Sequence, residues 1–346
     1  MAYVNRPAIV QAAHEVSTDE LVAAVEELGE LGSSHPLDPD IRQVALRLGV
    51  QRRRFARPLA SVMRSRRGSV ERTTADVQQL GERAVRQALD TEHLSIADLD
   101  GLIMFSTDAR VLLGLSAHLT HVLSLPRSLP LTALAALGSA GGAQALSVAA
   151  DDARLGKCVL VVGAEAPSSA LPDSGGADGV DWLVARMLCS DGAAATLVSP
   201  DPLSQPSVYI EDVWQRAALD PGLAPPYPYR PETAHTFDAS PRAVQSVMAA
   251  APHLPPSWKQ ADFGLVHPGS TAQLDALAAG GCAEAVLSPA RVSLAEDGNV
   301  GGTGLLHVLR RLHAVRPPVG STGLLFASGP GFYAHAARVC WVAGRP

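Results

Sequence analysis

Lysine is nearly absent from this 346-residue chain: of its 28 basic residues, only Lys157 and Lys259 are lysines. Aromatic residues are also scarce, at 4%, which leaves too few rings for a base-stacking platform and argues against nucleic acid as a partner. The four cysteines, Cys158, Cys189, Cys282 and Cys340, are far apart and form no CxxC pair. That spacing excludes a disulfide scaffold and a zinc module, and it points to a reducing cytoplasm. The opening residues "MAYVNRPAIVQAAHEV" lack a basic segment followed by an apolar core, so no signal peptide is expected. A net charge of -6 does not suit a general polyanion binder. The uncharged run Leu129–Ala150 is long, but Pro130, Gln144 and three glycines interrupt it. A buried helix is expected there, not a membrane span.

What is abundant is small and apolar. Hydrophobic residues make up 47% of the chain, ample for one large core or for two fused halves. Basic charge is concentrated near the N-terminus, where Arg42, Arg47, Arg52, Arg53, Arg54, Arg57, Arg64, Arg66, Arg67 and Arg72 crowd together. Two readings stand: a solvated helical face laced with salt bridges, or a dock for a phosphate-bearing cofactor or an acidic carrier protein.

Residues 17–31 and 73–90 have apolar residues at helical spacing. "LDGLIMFST" (99–107) reads as a buried strand, and "MLCSDGAAATLVS" (187–199) as a turn followed by a strand. The Pro- and Ser-rich "PDPLSQPS" (200–207) reads as a link between halves 1–200 and 201–346. The later half repeats the earlier one. "GSAGGAQALSVAAD" from Gly138 overlays "GNVGGTGLLHVLRR" from Gly298, each a Gly-rich break opening a helix. Strand-like runs precede the breaks (102–106, 264–267) and follow them (159–163, 323–327). A duplicated α/β unit is expected, with the breaks side by side and Ser139 and Asn299 as symmetry mates at helix N-termini.

At these residues the chain resembles the thiolase-like superfamily, above all the type III polyketide synthases of the chalcone synthase class and, next, the ketoacyl synthase III enzymes. "GNVGGTGLLHVL" resembles the family's Asn loop and "GLVHPGS" its His strand; "FASGPGF" is similar to its Gly-Pro-Gly turn and "LCSDGAAATLV" to its LFGDGAAAV run. "RPAIV", "SSHP" and "GVQRRRFARP" resemble bacterial type III enzymes. The resemblance implies a layered αβαβα fold of two pseudo-symmetric halves and a homodimer. It also implies catalysis on CoA or phosphopantetheine thioesters with no permanently bound cofactor and no metal.

Carried over, His267 and Asn299 match the family's His and Asn, which hold the thioester carbonyl and stabilise the enolate. The nucleophile position departs from the pattern. Anchored on the flanking "LG" and "ALSVA" it falls on Ser139, and anchored on "AGG" it falls on Gly138; in neither alignment is it Cys. Ser139 is either a helix cap or an alcohol that gives its proton to His267. Cys189 takes the place of one gatekeeper Phe and His235 that of another, as a relocated thiol with its base or as ordinary buried residues. Among the basic residues, Arg42, Arg47 and Arg52 are candidates for binding CoA phosphates or an acyl carrier protein. The expected function is a divergent acyltransferase or single-step condensing enzyme of specialised metabolism. The alternatives are a non-catalytic partner-binding homologue and a cyclase or hydrolase using Cys189 and His235.

Overall fold

Short apolar runs punctuated by glycine and proline become strands, and the Ala- and Leu-rich runs between them become helices. The computed structural model describes residues 1–30, 41–64, 69–135, 137–170, 179–217, 241–329 and 333–345. The strands are β1 (Tyr3–Val4), β2 (Ala8–Gln11), β3 (His14–Ser17), β4 (Arg52–Phe55), β5 (Gly101–Phe105) and β6 (Leu131–Leu134). They continue as β7 (Val159–Glu165), β8 (Gly192–Ser199), β9 (Ser207–Ala217), β10 (Phe263–Val266), β11 (Thr322–Gly329) and β12 (Tyr333–Val342). Ten of them form one mixed sheet in the order β10-β11-β12-β9-β1-β8-β7-β5-β6, with β2 also pairing with β8; β3 and β4 form a separate hairpin-like pair.

The internal repeat is visible in this order. β5 runs parallel to β7, and β8 returns antiparallel beside β7; likewise β10 runs parallel to β11, and β12 returns antiparallel beside it. In each unit the parallel pair is connected through a Gly-rich break and a helix, Gly141–Arg154 in the first and Gly304–Val315 in the second. A parallel pair needs such a crossover, because a tight turn cannot reverse the chain twice.

The two crossover helices form the middle layer. Gly141–Arg154 packs on β5, β7 and β8 and also on β11 and β12, while Gly304–Val315 packs on β10, β2 and β8. Ala143, Ala145, Leu146, Ala149, Ala150 and Ala153 are all buried, as expected of a helix with sheet on two sides, and only Asp151 and Arg154 in its last turn are exposed. Alternation along β7 shows two faces: Val159 and Val161 join this inner core, while Leu160, Val162 and Ala164 point to the outer one. The helices Val70–Glu92 and Leu112–Val122 cover that outer face, and Pro241–Ala250, Thr271–Ala279 and Glu284–Asp297 pack on the second unit. The result is the expected αβαβα layering. Among the described residues no helix is long and apolar enough to cross a membrane. The run 129–150 instead contains the edge strand β6, the break and most of a buried helix.

Two expectations need correction. The expected helix over 73–90 spans Val70–Glu92, because Ser69 caps its first turn by accepting from the Arg72 N–H. The basic segment is not a single solvated helical face. Arg52, Arg53 and Arg54 lie on β4, where alternation turns Arg53 into the protein, and Arg57 makes a two-point ion pair with Asp76 at 3.0 Å.

Candidate active site

The two breaks abut at the centre of the molecule. A Cβ placed on Gly142 would fall 2.1 Å from the Gly302 carbonyl oxygen; only glycine permits that approach. Phe105, at the end of β5, fills the space below. Its ring would lie 2.2 Å from a Cβ on Gly163 and 3.0 Å from one on Gly302. Each break enters through a left-handed glycine, Gly138 at φ 49° and Gly301 at φ 54°, and makes one 3-10 turn (Gly138–Ala140, Gly301–Thr303) before its helix. This register corrects the sequence overlay. The structural mate of Ser139 is Gly302; Asn299 lies two residues ahead of the left-handed glycine, in the approach to the second break. The repeated "GG" pairs are offset because the second break needs a longer approach to reach its helix.

Asn299 and His267 come together. The Asn299 Nδ2 donates to the Gly269 carbonyl at 2.9 Å, two residues beyond His267, and its Oδ1 accepts from the Gly301 N–H at 2.9 Å. These bonds fix the side-chain amide by both ends. His267 follows directly after β10, held by its N–H donating to the Phe326 carbonyl at 2.8 Å, and its Nδ1 would be 3.2 Å from a Cβ on Gly304. The imidazole thus lies against the start of the second crossover helix. Both residues are buried.

Cys189 is directly opposed to Asn299. The two form a parallel bridge, with the Ser190 N–H donating to the Asn299 carbonyl at 2.8 Å and the Asn299 N–H donating to the Leu188 carbonyl at 2.9 Å. Ser139 is buried in the first turn of the other break. His235 lies outside the described residues. Arg42, Arg47 and Arg52 are exposed and stand apart from this centre. Arg42 pairs with Asp19 and Glu26 at 3.4 and 3.9 Å. The helix carrying Arg42 and Arg47 (Ile41–Leu48) is tied to the site by the Thr271 hydroxyl, which donates to the Leu48 carbonyl at 2.9 Å, four residues beyond His267.

One acidic residue here escaped the sequence reading. Glu165 ends the apolar strand "CVLVVGAE", fully buried beneath the second break. It accepts from the Thr107 N–H and hydroxyl (3.0 and 2.9 Å), the Gly302 N–H (3.2 Å) and the Ser106 hydroxyl (3.3 Å). Burial pushes its pKa up to about 8 although all of these donors favour the carboxylate. The signal available in the sequence was a lone acid at the end of an uninterrupted apolar run. Asp191 is a second buried acid, raised to about 7 by burial, and it accepts from the Ser168 hydroxyl and N–H and from the Ala56 N–H. Among the described residues no cluster of His, Cys, Asp and Glu is placed to hold a metal ion.

This arrangement offers donors from a neutral amide and an imidazole beside a buried acid, with no water-exposed charge. Such a set suits a carbonyl oxygen that gains charge in the transition state. Residues 58–202 match the family model described as chalcone and stilbene synthases, N-terminal domain. The chain is 26% identical to a phloroglucinol synthase of Pseudomonas fluorescens, over 99% of this chain and all of that protein. Germicidin synthase from Streptomyces coelicolor, a type III polyketide synthase, superposes with a TM-score of 0.81 at 26% identity, covering 99% of both chains. The 1,3,6,8-tetrahydroxynaphthalene synthase of Streptomyces coelicolor shares the fold, with a TM-score of 0.82 at 23% identity over 99% of this chain and all of that one.

Proposed function

We propose that the chain is a type III polyketide synthase-like condensing enzyme that acts on CoA thioesters, with His267 and Asn299 polarising the thioester carbonyl, a reading supported by its similarity to such enzymes. The observation that carries this reading is the two-ended clamp on the Asn299 amide, which fixes it next to the strand end bearing His267. Preorganised donors stabilise a developing oxyanion without reorganising during the reaction, and one such donor is worth a factor of about 10² to 10³. Decarboxylation of a malonyl unit and attack on an acyl thioester both develop that charge. Ser139, on the break that faces Gly302, is the protein hydroxyl offered for acyl transfer, with His267 accepting its proton.

Other parts of the reading are also proposals. Division of the chain into halves 1–200 and 201–346 is supported by the repeated strand order. The exposed Arg42, Arg47 and Arg52 suit the phosphates of CoA or the acidic surface and phosphopantetheine arm of an acyl carrier protein. Strand β6 ends the sheet, which suits pairing with a second copy in a homodimer.

The test is thioester consumption across a panel of acyl- and malonyl-CoA and the same groups on carrier protein, with product masses recorded. Loss of turnover by about 10²-fold in Asn299→Ala and His267→Ala is expected. Full turnover in both variants, or no thioester consumed by the parent, overturns the proposal.

A further inference from the structure

Asp297 ends the helix Glu284–Asp297 with a carboxylate, and no basic residue fills the last turn beside it. A negative charge there opposes the helix dipole, and at 6% exposure it also loses its hydration. Groups from three elements compensate. From β2 the Gln11 Nε2 donates to the Oδ1 at 3.2 Å. From its own helix the Ser293 hydroxyl donates to the Oδ2 at 3.2 Å. From the second crossover helix the Arg311 Nη2 and Nε donate to the same oxygen at 2.8 and 3.2 Å, and the His307 Nδ1 stands 3.7 Å from it. Burial alone would raise the pKa of Asp297, yet His307 and Arg311 hold it well below the usual carboxylate range.

This network closes on the approach to the second break. The next residue, Gly298, has φ 70° and ψ -171°, a region that essentially only glycine enters. A Cβ there would fall 3.1 Å from the Leu188 carbonyl oxygen and 3.2 Å from the Ser190 Cβ. Such a backbone persists only when the surrounding structure holds it in place. On one side Asn299 is held by its bridge to Cys189. On the other side the hold is Asp297. His307 also lies beside the residue that follows Asn299: a Cβ on Gly192 would be 3.8 Å from the His307 Nε2 and 3.2 Å from the Val300 Cγ1. Three residues before His307 on the same helix, Gly304 carries the contact with the His267 Nδ1. The crossover helix that grips Asp297 therefore bears on both His267 and Asn299.

We propose that Asp297 is a positioning residue: clamped to Arg311 and His307, it fixes the turn at Gly298 and so aims the Asn299 amide at the carbonyl oxygen of a bound acyl thioester. This rests on the reading that the site takes thioesters. Asp297 acts through the turn and not on the carbonyl. Glu296 is the contrast. It shares Arg311, whose Nη1 donates to its Oε2 at 2.7 Å, but its side chain is 41% exposed and it stands one residue farther from the turn. If joining the two helices were the only purpose, the Glu296 pair would serve without burying a second charge.

The full chain is assayed for malonyl-CoA consumption as parent, Asp297→Asn, Asn299→Ala and the double variant, with Tm and amide hydrogen exchange measured on each. Asp297→Asn is expected to lower kcat about tenfold with KM nearly unchanged, the mark of an interaction realised in the transition state. In the Asn299→Ala background it should cost about twofold or less, because a residue that acts through the amide has nothing left to position. The Gly301 N–H, which donates to the Asn299 Oδ1, should exchange about tenfold faster in Asp297→Asn. Glu296→Gln should leave both kcat and that exchange close to the parent. Arg311→Met removes two of the donors to Asp297 and should repeat the kcat loss and its absence beside Asn299→Ala, so the test does not depend on Asp297→Asn folding. An equal loss in the Asn299→Ala background, a loss shared by Glu296→Gln, or unchanged kcat and exchange in the Asp297 and Arg311 variants overturns the positioning role. A parent that consumes no malonyl-CoA overturns the thioester reading. Faster Gly301 exchange in Asp297→Asn then still supports the hold on the Asn299 amide, and unchanged exchange overturns that as well.

Discussion

The contact between the two breaks gives a sharp test at adjacent glycines. In Gly142→Ala the new methyl would meet the Gly302 carbonyl oxygen at 2.1 Å, roughly 1 Å inside any tolerable contact. Neither side yields easily. Gly142 opens a helix packed between sheets, and Gly302 sits on the Phe105 ring and on the Glu165 carboxyl. Alanine gains up to about 1 kcal/mol over glycine in a helix, whereas forcing extra volume into a packed interior costs about 1–3 kcal/mol or more. The clash therefore wins, and a net loss of about 1–2 kcal/mol is expected. For a chain this long that is a fall of several degrees in Tm, at roughly 2–4 °C per kcal/mol. Separating the breaks by about 1 Å misplaces the acyl site relative to Asn299, and misplacement on that scale costs about 10²-fold in rate. Gly141→Ala is the control, because its methyl meets only Phe105, at 3.5 Å, an ordinary contact; it should leave Tm and turnover near the parent. Calorimetry together with thioester release measured by a thiol reagent reads both effects. If Gly142→Ala matches Gly141→Ala in Tm and turnover, the close approach of the breaks is not what holds the site.

Glu165 has a folded pKa of about 8 against 4.5 for an ordinary Glu. Its contribution to stability is fully present below pH 4.5 and declines as pH rises, with the loss complete once pH passes about 8. In Glu165→Gln the amide oxygen keeps the N–H donors and the amide nitrogen donates to the Ser106 hydroxyl, so the variant should show a flatter Tm profile from pH 5 to 9; an identical profile would remove Glu165 as the titrating group. His335 behaves in the opposite sense. Burial lowers its pKa from 6.5 to about 4, so the stability it permits is fully present above pH 6.5 and is lost as pH falls towards 4, by about 3 kcal/mol. Its buried Nδ1 has no partner, so His335→Leu should raise Tm at pH 4–5 more than at pH 7.5; equal shifts at both would contradict this. Phe105→Ala should cost about 3–5 kcal/mol, and chemical denaturation showing a loss below 1 kcal/mol would mean that the ring is not the pin beneath the breaks.

The repeat was legible because both copies carry the same local signals: a parallel strand pair, a Gly-rich break and an apolar helix. His267 and Asn299 stand out in the sequence only through the resemblance of "GLVHPGS" and "GNVGGTGLLHVL" to a family's motifs. The register between the copies was not legible. Gly138 and Gly298 are both positive-φ glycines in similar strings, yet the helix begins three residues after the first and six after the second. Backbone conformation decides that, and a string of small residues does not encode it. Glu165 and Arg53 were missed for a different reason. Each owes its environment to chain far away in sequence, Gly302 for Glu165, and Ser17, Thr18 and Gly298 for Arg53. Within "QRRRF" nothing but strand alternation separates Arg53 from its two exposed or half-exposed neighbours.

The two residues of β1 have a consequence for how the chain is assembled on the ribosome. Tyr3 pairs with Ser199 on one side and Tyr209 on the other, so this strand joins the two units of the sheet to partners roughly 200 residues downstream. At a synthesis rate of roughly 5–20 residues per second, β1 waits roughly 10–40 s before either partner emerges. During that interval β5, β6 and β7 can already pair with each other, but their sheet has an open flank where β8 and β1 will lie. Whatever shelters that flank in the cell governs the yield of folded protein, and a brief hold by a chaperone is worth most while residues 105–200 are being made.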